Sequence, residues 1–270
     1  MTTQIRNRWA LLTIVGAGVI LITLDNSVLY TALPTLTRDL GASATQALWI
    51  INAYPLVMAG LLLGAGTLGD RIGHRRMFVV GLVLFGLASL IAAFSPTAEM
   101  MIGDRAFLAV GAAAMMPATL ALIRVTFVVE RERNLAIGVW GALSLVGAAL
   151  GPVVSGLLLS RFWWGSVFLI NVPVGVAALV ACVVLLPESV DPHAPALDRL
   201  GILTAVPGTA ALVFGIIQAP AYGWTDPVVL AALAAGVWLI AGFLVWESRA
   251  RDPLVDLALF TNPAFTWPTL

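Results

Sequence analysis

Long apolar stretches alternate with short polar ones along almost the whole chain. Eight of them approach the roughly 20-residue length that a helix needs to cross a bilayer. They lie near residues 9–32, 46–68, 77–95, 99–123, 134–160, 163–186, 197–218 and 227–247. Short polar or Pro/Gly-marked turns part them, such as "LTRDLGAS", "FSPTAE" and "VERERN". The pattern predicts an all-α polytopic membrane protein.

The segment "PESVDPHAPALDRLG" after the sixth stretch is the longest polar interruption, with the proline and charge content of a linker. The expected organisation is a six-helix N-terminal bundle over 1–187, a cytoplasmic linker over 188–199, two additional transmembrane helices over 200–248, and a connector over 249–270. That connector, "ESRARDPLVDLALFTNPAFTWPTL" with its preceding glutamate, stops where a ninth helix begins, so a chain cut short is expected.

Composition agrees with the pattern. The chain is 60% hydrophobic and 10% charged, with a mean hydropathy of +1.00, against about 25% charged in a soluble domain. Net charge is zero, which argues against a nucleic-acid partner, because binding phosphates needs a basic excess.

All 14 basic residues are arginine. Without lysine there is no P-loop and no Schiff base to pyridoxal. Neither enzymatic activity nor a cofactor is expected. Cys182 lies in an apolar run and reads as packing, while His74 and His193 are too far apart to suggest a metal site.

The arginines also orient the chain. Arg6 and Arg8 precede the first span without a small-residue cleavage site, so that span is expected to be retained. With the N-terminus inside, cytoplasmic segments hold Arg6, Arg8, Arg71, Arg75, Arg76, Arg124, Arg131, Arg133, Arg199, Arg249 and Arg251. The opposite side holds Arg38 and Arg161, a balance of eleven to two. Both termini are expected in the cytoplasm, and Arg105 falls within the fourth span.

Asp25 stands inside the apolar stretch "TIVGAGVILITLDNSVLYTALPTL". A carboxylate there costs about 2.5–3.5 kcal/mol on the insertion scale, so it faces protein or water rather than lipid. At about 1.5 Å per residue it lies roughly 24 Å from Trp9, in the outer half of the span. Two readings stand: an aspartate hydrogen-bonded to a neighbouring helix or capping a helix end, or a protonatable group lining a cavity and holding a proton or a cation.

A second cluster joins spans two and three in "GTLGDRIGHRR". Gly66 and Gly73 permit a tight turn and close helix approach. Asp70 can accept charge-assisted hydrogen bonds from Arg71, Arg75 or nearby helix N-termini. Any three arginines would serve as a positive-inside anchor, but the Gly–Asp–Arg–Gly–Arg spacing is more particular.

That spacing resembles the loop signature of the major facilitator superfamily, GxLaDrxGrr. "LDNSVLYTALPTLTRDL" and "LWIINAYPLVMAG" resemble helices one and two of its 14-helix drug:proton antiporter branch. "RAFLAVGAAAMMPATLALIRVTF" is similar to helix four, and "GALSLVGAALGPVVSG" to the antiporter signature of helix five. "WWGSVFLINVPVG" is nearest to the quaternary-ammonium-compound exporters of the QacA type. The likeness covers nearly the whole chain, as the N-terminal portion of such a transporter.

The resemblance implies a proton-coupled exporter of hydrophobic cationic drugs or dyes in the cytoplasmic membrane. Such transporters alternate access by rocking two six-helix halves about a site near the midplane. Asp25 would then be a proton and cation carboxylate, with Arg105 taking part in proton coupling. Gly66, Asp70, Arg71, Gly73 and Arg75 would form a cytoplasmic gate, and Gly147, Gly151, Pro152 and Gly156 the antiporter helix motif. Small residues at four-residue spacing let helices approach closely, and Pro152 can bend its helix.

Departures from the pattern are also present. Asn52 stands where exporters of the QacA type often carry aspartate, which puts divalent substrates in doubt. Leu108 and Ala109 replace the usual Gln and Gly, and Ser155 replaces a glycine. Asp104 is an added acid, about 100° around the helix from Arg105; it reads equally as a second cavity carboxylate or as local charge neutralisation. Trp49 and Tyr54 are open as cavity aromatics able to stack on a cation, while Trp163 and Trp164 read as interfacial anchors.

One half cannot alternate access alone, so a second half or self-association is expected. The alternatives are a truncated, non-transporting remnant or interaction subunit, or an exporter of an endogenous metabolite or lipid on the same fold.

Overall fold

The computed structural model describes residues 8–186 and 198–250. They form α1 (Arg8–Asp39), α2 (Ala44–Ile72), α3 (His74–Ala92), α4 (Ala98–Thr126), α5 (Glu130–Leu159), α6 (Ser166–Leu169), α7 (Asn171–Leu185), α8 (Arg199–Tyr222) and α9 (Pro227–Glu247). Taking α6 and α7 as one broken span, eight helices among the described residues are long and apolar enough to cross a membrane. This is the all-α architecture expected from the hydropathy pattern. The boundary at 188–199 falls mostly, and the expected ninth helix almost wholly, outside the described residues, as do Arg6, His193 and Arg251.

Helix ends follow local chemistry. Ser43 and Gln46 form a capping box at the start of α2, and Thr97 and Asp226 cap α4 and α9. Gly73 separates α2 from α3 at φ 103°, where a side chain would be strained, and its N–H bonds the Gly69 carbonyl. α1 runs to Asp39, seven residues beyond the expected 32, with Pro34 inside it. The break at Ile170 was not expected. Pro173 has no N–H to give the Leu169 carbonyl, so the helical ladder is interrupted there.

α1 and α4 are the central helices. α1 packs along α5 and also meets α7 and α4; α4 packs along α2 and α3. A core of Leu21, Val28, Leu29, Ile50, Phe85, Met101, Leu108 and Phe168 fills the space between them. α8 and α9 pair with each other, and α8 lies against α2, where Val206 and Ile202 fit over Gly60 and Gly64.

Successive spans run in opposite directions. Arg8 pairs with Glu132, bringing the starts of α1 and α5 to one end. The end of α2, the start of α3 and the end of α4 meet at that end around Asp70, His74 and Arg124. Gln46 and Glu99 meet at the other end.

Candidate functional site

Asp25 belongs to the buried stripe of α1, with Leu21, Val28, Leu29 and Ala32. Arg105 holds the matching place on α4, among Met101, Leu108, Ala109 and Ala112. The helices therefore bring the two together: Arg105 Nη1 donates to Asp25 Oδ2 at 2.7 Å, and both side chains are 0% exposed. Removing one partner from such a pair strands a buried charge, which costs about 3–5 kcal/mol.

The guanidinium is held on every side. Its Nε donates to the Ile50 carbonyl at 3.3 Å and its Nη2 to Asn26 Oδ1 at 3.4 Å. Its carbon lies 4.5 Å from the centre of the Tyr54 ring, a cation–π contact that is strongest where water is excluded. Ile50 and Tyr54 are one helical turn apart and share the buried face of α2.

The other carboxylate oxygen goes to α7. Asn171 Nδ2 donates to Asp25 Oδ1 at 2.7 Å and lies 3.2 Å from Ser89 Oγ of α3. Five helices thus meet at one polar centre inside an apolar bundle. Tyr54 Oη and Asn171 Oδ1 are buried there without a hydrogen-bond partner among the described residues, each at a cost of about 1–3 kcal/mol.

The structure separates the other expected residues from this centre. Asp25 is enclosed by protein instead of lining a cavity. Asp104 turns away, as its offset from Arg105 requires, and accepts from Ser95 beside the α3–α4 turn. Its position is that of a local partner near a helix end, not of a second carboxylate beside Asp25. Asn52 is half-buried and donates to its own Leu48 carbonyl at 2.8 Å. Trp49 packs on Phe214 of α8, with ring centres 5.7 Å apart. Of the three cavity candidates, only Tyr54 reaches the centre.

Asn26, Ser89 and Asn171 were not singled out from the sequence. Asn171 carried a signal: it is the one amide in the apolar run after Arg161, within the quoted "FLINVPVG". Trp163 is exposed, as an anchor would be, whereas Trp164 is 8% exposed and packs edge-on against Phe168. Its ring belongs to the core.

At the far end of α2, Asp70 Oδ1 lies 3.4 Å from His74 Nε2, a partner the spacing had not indicated. Arg75 donates to the Val183 carbonyl at 2.8 Å, tying α3 to the end of α7. Gly66, Asp70, His74, Pro117, Leu120 and Arg124 line an open cavity of about 360 Å³. Arg71 is exposed beside it.

The α5 motif divides by face. A side chain at Gly147 would press on the Ile20 carbonyl at 3.1 Å, and one at Gly151 on the Ser27 backbone at 2.9 Å. Ser27 Oγ donates to the Ala148 carbonyl at 2.6 Å, possible only because α1 and α5 lie so close. The third buried residue of this stripe is Ser155. Pro152 and Gly156 are exposed, and a Cβ at Gly156 would meet nothing within 4 Å. Gly156 therefore takes no part in that helix contact, because it lies one residue past the four-residue stripe.

A family model described as the Major Facilitator Superfamily matches residues 15–250. The chain belongs to this superfamily. It is 40% identical over 266 residues to a multidrug efflux pump of Mycolicibacterium smegmatis, covering 98% of this chain and 53% of that protein. It is 42% identical over 255 residues to a methyl viologen resistance protein of Salmonella typhimurium, covering 94% and 52%. A tetracenomycin C resistance and export protein of Streptomyces glaucescens is 41% identical over 255 residues, covering 94% and 47%. The chain thus spans about half the length of the curated relatives it matches.

The fold also resembles a solved peptide transporter, with a TM-score of 0.66 at 16% identity, covering 91% of this chain and 53% of that one. This likeness concerns the fold alone. Together, the eight apolar helices and the family match make this a multi-pass membrane protein of the superfamily.

Proposed function

We propose that this chain carries the proton-coupling half of a 14-helix drug exporter, of the kind that expels hydrophobic cations across the cytoplasmic membrane. The observation that carries the reading is the sealed Asp25–Arg105 pair. Ionised, Asp25 holds Arg105 between α1, α2 and α4; protonated, it no longer offsets that charge. Binding a proton therefore changes the force between the two central helices. Resistance and export are what the relatives' names describe, and hydrophobic cations are the substrate class implied by the family branch.

In this reading residues 1–187 form the bundle, with the linker, α8 and α9 joining it to a second bundle supplied by a longer chain, a partner or another copy. Rocking between the two would alternate access. The arginine-rich end, with both termini, lies in the cytoplasm by the positive-inside bias. There Gly66, Asp70, Arg71, Gly73 and Arg75 act as a gate. Packing of Gly147 and Gly151 on α1 keeps α5 in register with the proton site.

Ethidium efflux from cells making these 270 residues tests the proposal, with and without a protonophore and beside Asp25→Asn. Protonophore-sensitive efflux abolished by Asp25→Asn is the expected result, either from this chain alone or after co-expression with a relative's second half. Efflux in both settings that ignores the protonophore and Asp25→Asn would overturn it, as would no efflux in either from an inserted, folded chain.

A further inference from the structure

We infer that Asn171, at the joint between α6 and α7, follows the protonation state of Asp25 by turning its side-chain amide. The inference deepens the proposed reading of Asp25 as the proton site and rests on it. Its basis is the hydrogen-bonding inventory of the centre.

An ionised carboxylate only accepts hydrogen bonds. Here it has one donor for each oxygen, Arg105 Nη1 at Oδ2 and Asn171 Nδ2 at Oδ1, both at 2.7 Å. Once protonated, the carboxyl presents an O–H and needs an acceptor. Arg105 has none to offer, since a guanidinium only donates. Asn171 does: its Oδ1 is buried without a partner among the described residues, on the same amide that already touches Asp25.

A half-turn of that amide exchanges its nitrogen and oxygen with little change in the space they fill. Oδ1 then accepts from the protonated Asp25. Ser89 Oγ, 3.2 Å from the amide, changes from acceptor to donor by turning its hydroxyl. Asp25 therefore finds a partner for Oδ1 in either protonation state from one side chain, and the amide keeps one unpartnered polar atom in both.

Asn171 stands at a break in the fold. It is the first residue of α7, immediately after the Ile170 break and two before Pro173. The ionisable groups of the centre are Asp25, Arg105 and Tyr54. Among the described residues α3 and α7 add Ser89 and Asn171, and α5 faces α1 with Gly147, Gly151 and Ser155. Asn171 is thus a positioning residue, acting through Asp25.

The test is infrared difference spectroscopy, acidic minus neutral, on the full chain in lipid vesicles after making it with carbonyl-¹³C-labelled asparagine. A carboxyl band that vanishes in Asp25→Asn identifies the proton site. The expected result is a labelled asparagine band rising with it at the same midpoint. Asn171→Leu should abolish the asparagine band and move the carboxyl band to higher frequency, while Asn52→Leu, at an amide turned to its own Leu48 carbonyl, leaves both.

A carboxyl band without an asparagine band in the unmodified chain would overturn the inference and leave the proton-site reading standing. So would a carboxyl band unmoved by Asn171→Leu. No Asp25 band at any pH would overturn both. Should Asn171→Leu fail to fold, the labelled unmodified chain still decides.

Discussion

The Asp25–Arg105 centre and the Asp70–His74 cluster each place a carboxylate beside a basic group, yet their surroundings are opposite. At the centre both side chains are fully enclosed, and each oxygen of Asp25 and each nitrogen of Arg105 has a protein partner. At the end of α2 the Asp70 side chain is 39% exposed and borders an open cavity of about 360 Å³. Water can replace a lost partner there, whereas at the centre the enclosed side chains depend on one another. A change of charge at the centre should therefore act on folding and function together, and at the open end mainly on function.

The largest expected effect comes from Arg105→Ala, which leaves Asp25 buried without its counter-charge. Stability should fall by about 3–5 kcal/mol, read as a lowered midpoint of unfolding in detergent, with efflux lost. A loss under about 1 kcal/mol would mean that water already enters the centre, and the contrast with Asp70 would disappear.

Next is the close contact of α5 with α1 at Gly147 and Gly151. Gly151→Leu should cost about 1–3 kcal/mol by overpacking, whereas Gly156→Leu, five residues along on the open face, should stay within about 0.5 kcal/mol. Comparing the two unfolding midpoints checks which glycine matters. Equal effects would contradict the division of the motif by face.

Asp70→Asn sharpens the comparison from the other side. Its half-exposed pairing is worth at most about 1 kcal/mol, so unfolding should hardly change while ethidium efflux falls by about tenfold or more. The smallest effect is expected from Asp104→Asn, which can still accept from Ser95. Efflux within about twofold of the unmodified protein would place Asp104 outside the transport path; a loss equal to that of Asp25→Asn would restore it as a second proton site.

Several parts of this picture were legible along the chain. Asp25 and Arg105 each stood out as a charge in an apolar span. The 100° step from Asp104 to Arg105 correctly sent them to different faces. Gly73 and the turn it makes followed from backbone freedom alone. Gly156 came with the helix-five motif, and only the structure shows that it lies on the open face of α5, one position past the stripe of Gly147, Gly151 and Ser155. Asn171 passed unmarked because an uncharged amide barely lowers the hydropathy of a span.

What the sequence by itself determined is the number of spans, their apolar character and the few charges that must be paid for inside them. Those follow from length and polarity, which a bilayer reads residue by residue. Only the tertiary structure decided that Arg105 meets Asp25, that Tyr54 lies beneath it while Trp49 turns to α8, and that Asn171 reaches across from α7. Each of these contacts joins residues far apart in the chain, and helix rotation and crossing select them, neither of which a hydropathy pattern contains.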